Sequence, residues 1–144
     1  MRVRMELSRI LIRELNDYQL IELREVVDES DAPLARDPRS FPIVIGLPEA
    51  QAIDRRLKGL PIKRPQTHDL LATLISELGG ELKSISITDL ADHTFFATLD
   101  IEQDGRTIHV DSRPSDAIAL GVAQDVPIYV EDSVIDSAMS DSPE

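Results

Sequence analysis

The sequence predicts an α+β domain in which a unit of about three strands and two helices occurs twice and forms a barrel-like mixed sheet flanked by helices. Three observations carry this. Shifted by 66 positions against itself, the chain aligns Val44 with Val110, Pro48 with Pro114, Pro61 with Pro127 and Ile62 with Ile128 without a gap. In each copy a short apolar strand runs into a proline suited to a first helical turn, and a second proline follows the helix. Elsewhere the apolar residues alternate with period two or recur at helical spacing, and Asp104-Gly105 between two alternating runs marks a two-residue hairpin.

In chain order, Val3, Met5 and Leu7 alternate with charged residues, the pattern of a half-buried strand, and a second strand covers 18–27. Residues 28–40 collect Asp, Ser, Pro and Arg without periodicity and read as a mobile surface loop. Phe41 to Gly46 is a buried strand, Pro48 opens a helix to about Lys58, and Gly59 stands where a C-cap belongs. A helix over about 66–78 follows, with Thr67 as an N-cap type and Leu70, Leu71, Leu74, Ile75 and Leu78 as its apolar stripe. Strands over 81–90 and 94–102 precede the hairpin. Pairing Gln103 with Arg106 places Asp100 opposite His109 and Thr98 opposite Asp111, with Leu99, Ile101, Ile108 and Val110 on the other, apolar face. Helix 114–124 is apolar nearly all round and should be deeply buried. A strand at 127–130 and a helix from Ser133 to Met139 complete a single domain over 1–139, with repeats at about 3–70 and 71–138 and a disordered tail over 140–144.

The chain has 144 residues, a formal charge of −12 and no cysteine. That size supports one core without disulfides, and thiolate metal sites and catalytic thiols are excluded. The start alternates charge with apolar residues, unlike a signal peptide, and no apolar run approaches the roughly 18 residues of a membrane span, so a cytoplasmic protein is expected. The acidity argues against a broad nucleic-acid surface. One segment differs: Arg55, Arg56, Lys58, Lys63 and Arg64 stand without an acid among them, so it is locally +5 and the remainder −17 against −12 overall. It reads either as a polyanion-facing patch or as the solvated end of a helix, where cations suit the dipole.

The copies diverge where chemistry is possible. At the repeat offset Asp111, Ser112, Arg113 and Asp116 replace Ile45, Gly46, Leu47 and Ala50, while His68 and Asp69 correspond to Val134 and Ile135. Asp116, in the first turn of its helix, is either a helix-start carboxylate or part of a site. Asp111, at a strand end, either pairs with Arg113 or holds a divalent metal with other carboxylates. His68 sits at the edge of its apolar stripe, as a structural or a proton-moving histidine, and Asp69 suits a helix N-terminus. His109 and Asp100 read as a base and its orienter or as ordinary polar residues of an exposed strand face. The chain lacks a phosphate-binding Gly-rich loop, a nucleophile elbow and an HExxH helix.

The strings RPQTHDL (64–70) and DSRPSDAIALG (111–121) resemble the bifunctional nuclease domain family of bacteria and plants, with likeness over about residues 3–138. The resemblance implies a duplicated fold with a barrel-like sheet, nuclease action on DNA and RNA, and self-association into a homo-oligomer. Carried onto this chain, it points to His68, Asp69, Asp111 and Asp116 as catalytic residues. Asp111 and Asp116 would hold the divalent cation, while Arg64, Ser112, Arg113, Arg55 and Arg56 would receive substrate. The competing expectation is a non-catalytic regulatory module in which the same cluster binds a small anionic ligand or a protein.

Overall fold

The computed structural model describes residues 1–13, 15–27 and 37–140. Most of the loop expected at 28–40 and all but the first residue of the expected tail lie outside these residues. The elements are β1 (Arg2–Leu11), β2 (Gln19–Glu25), β3 (Ser40–Ile45), α1 (Leu47–Lys58), α2 (Thr67–Glu77), β4 (Gly80–Ala91), β5 (Thr94–Gln103), β6 (Arg106–Ser112), α3 (Pro114–Gly121) with a 3-10 turn at Val122–Gln124, β7 (Ile128–Glu131) and α4 (Asp132–Ser140). None of the helices is long and apolar enough to cross a membrane.

The strands form one sheet in the order β3-β2-β1-β7-β4-β5-β6, with β4 and β7 parallel and every other pair antiparallel. Each half is a three-strand meander followed by helices, and β7 of the second half is inserted between the two meanders. The sheet is open, which corrects the barrel-like expectation. It curls far enough for Phe41 of edge strand β3 to stack on Phe95 of β5, ring centroids 5.6 Å apart. That contact is made by side chains, and no hydrogen-bonded ladder joins β3 to β5 or β6.

Strand alternation explains which face is filled. Met5, Ile21, Leu23, Phe41, Ile43, Ile85, Ile87 and Val130 project to one side, where they meet Ala50 and Ile53 of α1, Ala117 to Ala119 of α3, and Val134 and Ile135 of α4. Seven of the eight α3 residues are buried, as its all-round apolar sequence requires. Pro48 and Pro114 both stand in first helical turns, where a missing N–H costs nothing. Gly59 ends α1 in the left-handed conformation at φ 64°.

Two helix expectations are corrected. The N-cap of α2 is Gln66 rather than Thr67, and Ser133 lies inside α4, which starts at Asp132. The leucine stripe of α2 is not buried: no residue of α2 is. The helix meets α3 and the start of β4 on the side of the half-buried Ala72 and Ile75, across a small cavity, and its leucines face solvent.

Candidate functional site

The hairpin at Asp104-Gly105 has the positive φ angles of its turn type, 51° and 76°, and produces the expected register: Thr98 opposite Asp111 and Asp100 opposite His109. The other motif residues stand at the junction of α1, α2 and α3. The first turns of α2 and α3 meet so that His68 Nε2 lies 3.0 Å from Asp116 Oδ1, while the second oxygen of Asp116 accepts from Arg113 Nε at 2.9 Å. Arg113 also donates to Glu49 of α1 at 3.1 Å. Burial acts most strongly on Asp116 and pushes its carboxyl up, but the hydrogen bonds and charges of Arg113 and His68 outweigh it and hold the group below its ordinary value. An ionised Asp116 takes the proton-bearing face of the ring, so Nε2 donates and Nδ1 is left to accept or carry a proton.

One helical position away, Asp69 serves differently. Its carboxylate accepts the Gln66 backbone N–H at 3.0 Å, Arg55 Nη2 at 2.9 Å and Arg56 Nη1. Burial pushes this carboxyl up, and the Gln66 amide with the two guanidinium groups holds it down. Arg56 continues to the carbonyl oxygens of Ala119 and Leu120 at 2.6 and 3.0 Å, at the end of α3. Both guanidinium groups expected to receive substrate are thus engaged within the protein, and the basic segment offers less free charge than its sequence promises. Its Lys63 and Arg64 remain exposed, with no ion pair among the described residues. Ser112 turns its hydroxyl to the carbonyl of Arg113.

Asp111 does not join Asp116. It follows His109 by two positions on β6 and by strand alternation falls on the opposite, polar face of the sheet, where it is exposed. Both oxygens of Asp116 are already occupied, and among the described residues no three His, Asp or Glu side chains converge as a metal cage would require. The pair Asp111 and Asp116 therefore does not fit a shared divalent cation.

The polar face carries a second constellation, which the sequence displayed only through hairpin register. Asp100, 5% exposed, accepts from Ser84, Ser86 and Thr98 hydroxyls at 2.7, 2.5 and 2.8 Å and meets His109 Nδ1 at 2.8 Å. Burial raises this carboxyl, but the four partners together lower it. The ring of His109 is thereby fixed with Nε2 free, on a side chain that is 63% exposed. Ser84 and Ser86 could be recognised only once β4 was known to flank β5 on that face.

A groove of about 950 Å³ runs between β3 and the β4–β5 hairpin and ends at Glu49 and Arg113 beside the His68–Asp116 pair. The family model of the bifunctional nuclease domain matches residues 34–143, which include every one of these side chains from Glu49 to Asp116. The chain belongs to the bifunctional nuclease domain family. Two relatives, described as uncharacterized proteins MT1877 and Rv1829 of two Mycobacterium tuberculosis strains, are each 44% identical over 104 residues, 72% of this chain. The match spans 62% of the length of each relative. Strands β1 and β2 of this bifunctional nuclease domain protein lie outside the matched region, yet β1 carries Met5 into the core and pairs with β7.

Proposed function

We propose that the domain hydrolyses phosphodiester bonds of DNA or RNA at the groove end where α1, α2 and α3 meet. The observation that carries this is the convergence of His68 with Arg113 and Asp116, 45 and 48 positions further along the chain, on one hydrogen-bonded cluster beside the groove. In this reading Asp116 orients His68 through Nε2, and Nδ1 takes a proton from the attacking water as its oxygen bonds phosphorus. The P–O ester bond breaks, the leaving oxygen is protonated in turn, and the guanidinium of Arg113, 64% exposed at its side chain, faces the phosphoryl charge. Asp69, saturated by its three donors, is assigned to holding the helices.

A second reading puts the base at His109, because Asp100 fixes that ring with its outer nitrogen open. The carboxylates of Asp111 and Glu102 on the same face disfavour a polyanion there. The deciding assay is cleavage of single-stranded DNA and RNA by identically purified wild-type, His68→Gln, Asp116→Asn and His109→Gln proteins, with Mg²⁺, Mn²⁺ or EDTA. Loss of a general base or its orienter lowers the rate by about 100-fold or more. His68→Gln cutting at the wild-type rate overturns the groove site, and loss only in His109→Gln moves the chemistry to the sheet face. Specific ligand retention at the cluster without any turnover supports the binding-module alternative.

A further inference from the structure

Most of the side chains along the groove are apolar, which is not what a phosphate channel needs. Beside Arg113, the ionised groups that line it are the carboxylates of Asp17 and Glu49, and Glu49 already accepts from Arg113. A strand held there by its phosphates would meet one cation against two anions. The aromatic residues point to a different grip. The chain has two tyrosines, three phenylalanines and no tryptophan. Tyr18 and Phe95 line the groove, and a third member of this small set, Phe41, stacks on Phe95 and backs its ring.

The wall is built before any ligand arrives. Tyr18 stands directly before β2, and the turn leading to it is pinned by the buried Gln19. The amide of Gln19 donates to the carbonyl oxygens of Arg13 and Asn16 at 2.9 and 3.2 Å and accepts the Arg13 N–H. Next along the wall, Leu20 pairs with Val44 across β2 and β3, and Tyr18 and Val44 are 51% and 63% exposed. An apolar edge such as β3 would also suit an added peptide strand, but Pro42 within it has no N–H and blunts the edge against one.

We infer, on the phosphodiester reading of the adjoining cluster, that the groove grips nucleic acid by its bases and so selects single strands. Unpaired bases next to a phosphate at Arg113 lie against Tyr18, Leu20, Val44 and Phe95, while the backbone runs in solvent. A base in a duplex is stacked and paired and cannot reach this wall, whereas an unpaired base offers a π-face that an aromatic side chain takes whatever the sequence. The space of about 950 Å³ is at the upper end of what a drug-sized ligand fills, enough for a nucleotide and part of its neighbour. A grip on bases also suits a protein of formal charge −12, because stacking and apolar burial need few phosphate contacts.

The test is fluorescence anisotropy on the full chain in EDTA, with a labelled oligothymidylate, the same strand annealed to oligoadenylate, and an abasic strand of equal length. The wild-type protein is expected to bind the first at least about tenfold more tightly than the other two, as loss of one or two stacked bases requires. Between roughly 50 and 200 mM salt its affinity should fall only about threefold, the loss for one phosphate contact, where about six contacts would lose several hundredfold. Tyr18→Ala should weaken single-strand binding about fivefold or more, with the melting temperature of the wild type because the ring is half exposed. Tyr18→Phe should keep the affinity. Phe96→Ala is the control, since Phe96 is exposed on β5 outside the groove.

Indifference to Tyr18→Ala, equal affinity for the abasic strand, a duplex bound as tightly as a single strand, or no strand bound at roughly 100 µM, the weak end of non-specific binding, each overturns the inference. So does Tyr18-dependent binding of the apolar dye ANS without binding of any strand, which would assign the groove to an apolar ligand. Turnover separates this outcome from that of the hydrolysis reading. Base-dependent binding without cleavage would refute hydrolysis and leave the grip standing. Cleavage abolished by His68→Gln, with a KM that Tyr18→Ala does not raise, would do the reverse.

Discussion

Replacing Asp69 with alanine should unfold the helical layer before it affects anything else. The carboxylate is the shared acceptor for Arg55, Arg56 and the Gln66 amide, and the two arginine side chains are only 17% and 8% exposed. Arg55 Nε is already buried without a partner, so the guanidinium has no spare solvation to fall back on. Removing one partner of a largely buried ion pair costs about 3–5 kcal/mol, because the remaining charge stays desolvated. With the carboxylate itself 17% exposed, water can enter, and the lower end of that range, about 3 kcal/mol, is expected. For a domain of this size that is a fall of roughly 10 °C in melting temperature. Urea unfolding with an unchanged m-value is the assay. Asp54→Ala, which removes only the exposed Lys58–Asp54 pair, is the control and should cost no more than about 0.5 kcal/mol. The double variant Asp69→Leu/Arg56→Met should cost less than the sum of its parts. A loss below about 1 kcal/mol for Asp69→Ala would refute the view that this ion network joins α1, α2 and α3.

Two further outcomes follow from the same structure. Asp69, Asp100 and Asp116 are all held below the ordinary carboxylate value, so the unfolded chain takes up protons before the native one does. Their stabilisation is complete above the unfolded value near 4, about where free aspartate titrates, and is lost as pH falls through the native values. Urea melts from neutral pH downward should show stability falling below about pH 4, less steeply in Asp100→Asn, and a flat profile there would contradict the assignment. Gly121 at the end of α3 leaves no room for a methyl group: a Cβ there would lie 2.7 Å from Ile85 Cδ1 and 3.1 Å from Val126 Cβ. Gly121→Ala should therefore destabilise by about 1–3 kcal/mol in the same melts, and an unchanged midpoint would show that Ile85 can move aside.

Local rules determined a large part of the fold. Alternation located β1, β4 and β5, prolines at first helical turns located α1 and α3, and a positive-φ hairpin at Asp104-Gly105 set the β5–β6 register residue by residue. These features depend on backbone sterics and on neighbours within a few positions, which one sequence displays in full. The candidate site was legible as two strings. It was not legible that His68 and Asp116 touch, that Asp69 is taken by Arg55 and Arg56, or that Asp111 stands on the other face from Asp116.

Those outcomes depend on how the two halves meet. Inserting β7 between β1 and β4 fixes the sheet order and leaves β3 and β6 as open edges, and no local pattern encodes that pairing across more than a hundred residues. The same limit explains α2. Its apolar arc is wider than the surface that α3 and β4 offer, and periodicity reports that a helix has an apolar face without reporting what covers it. By itself the sequence determined the elements and the hairpin register, because each is decided by nearby atoms. Only the tertiary structure decided which charges are buried together and which leucines remain outside, because burial belongs to surfaces that distant segments make in common.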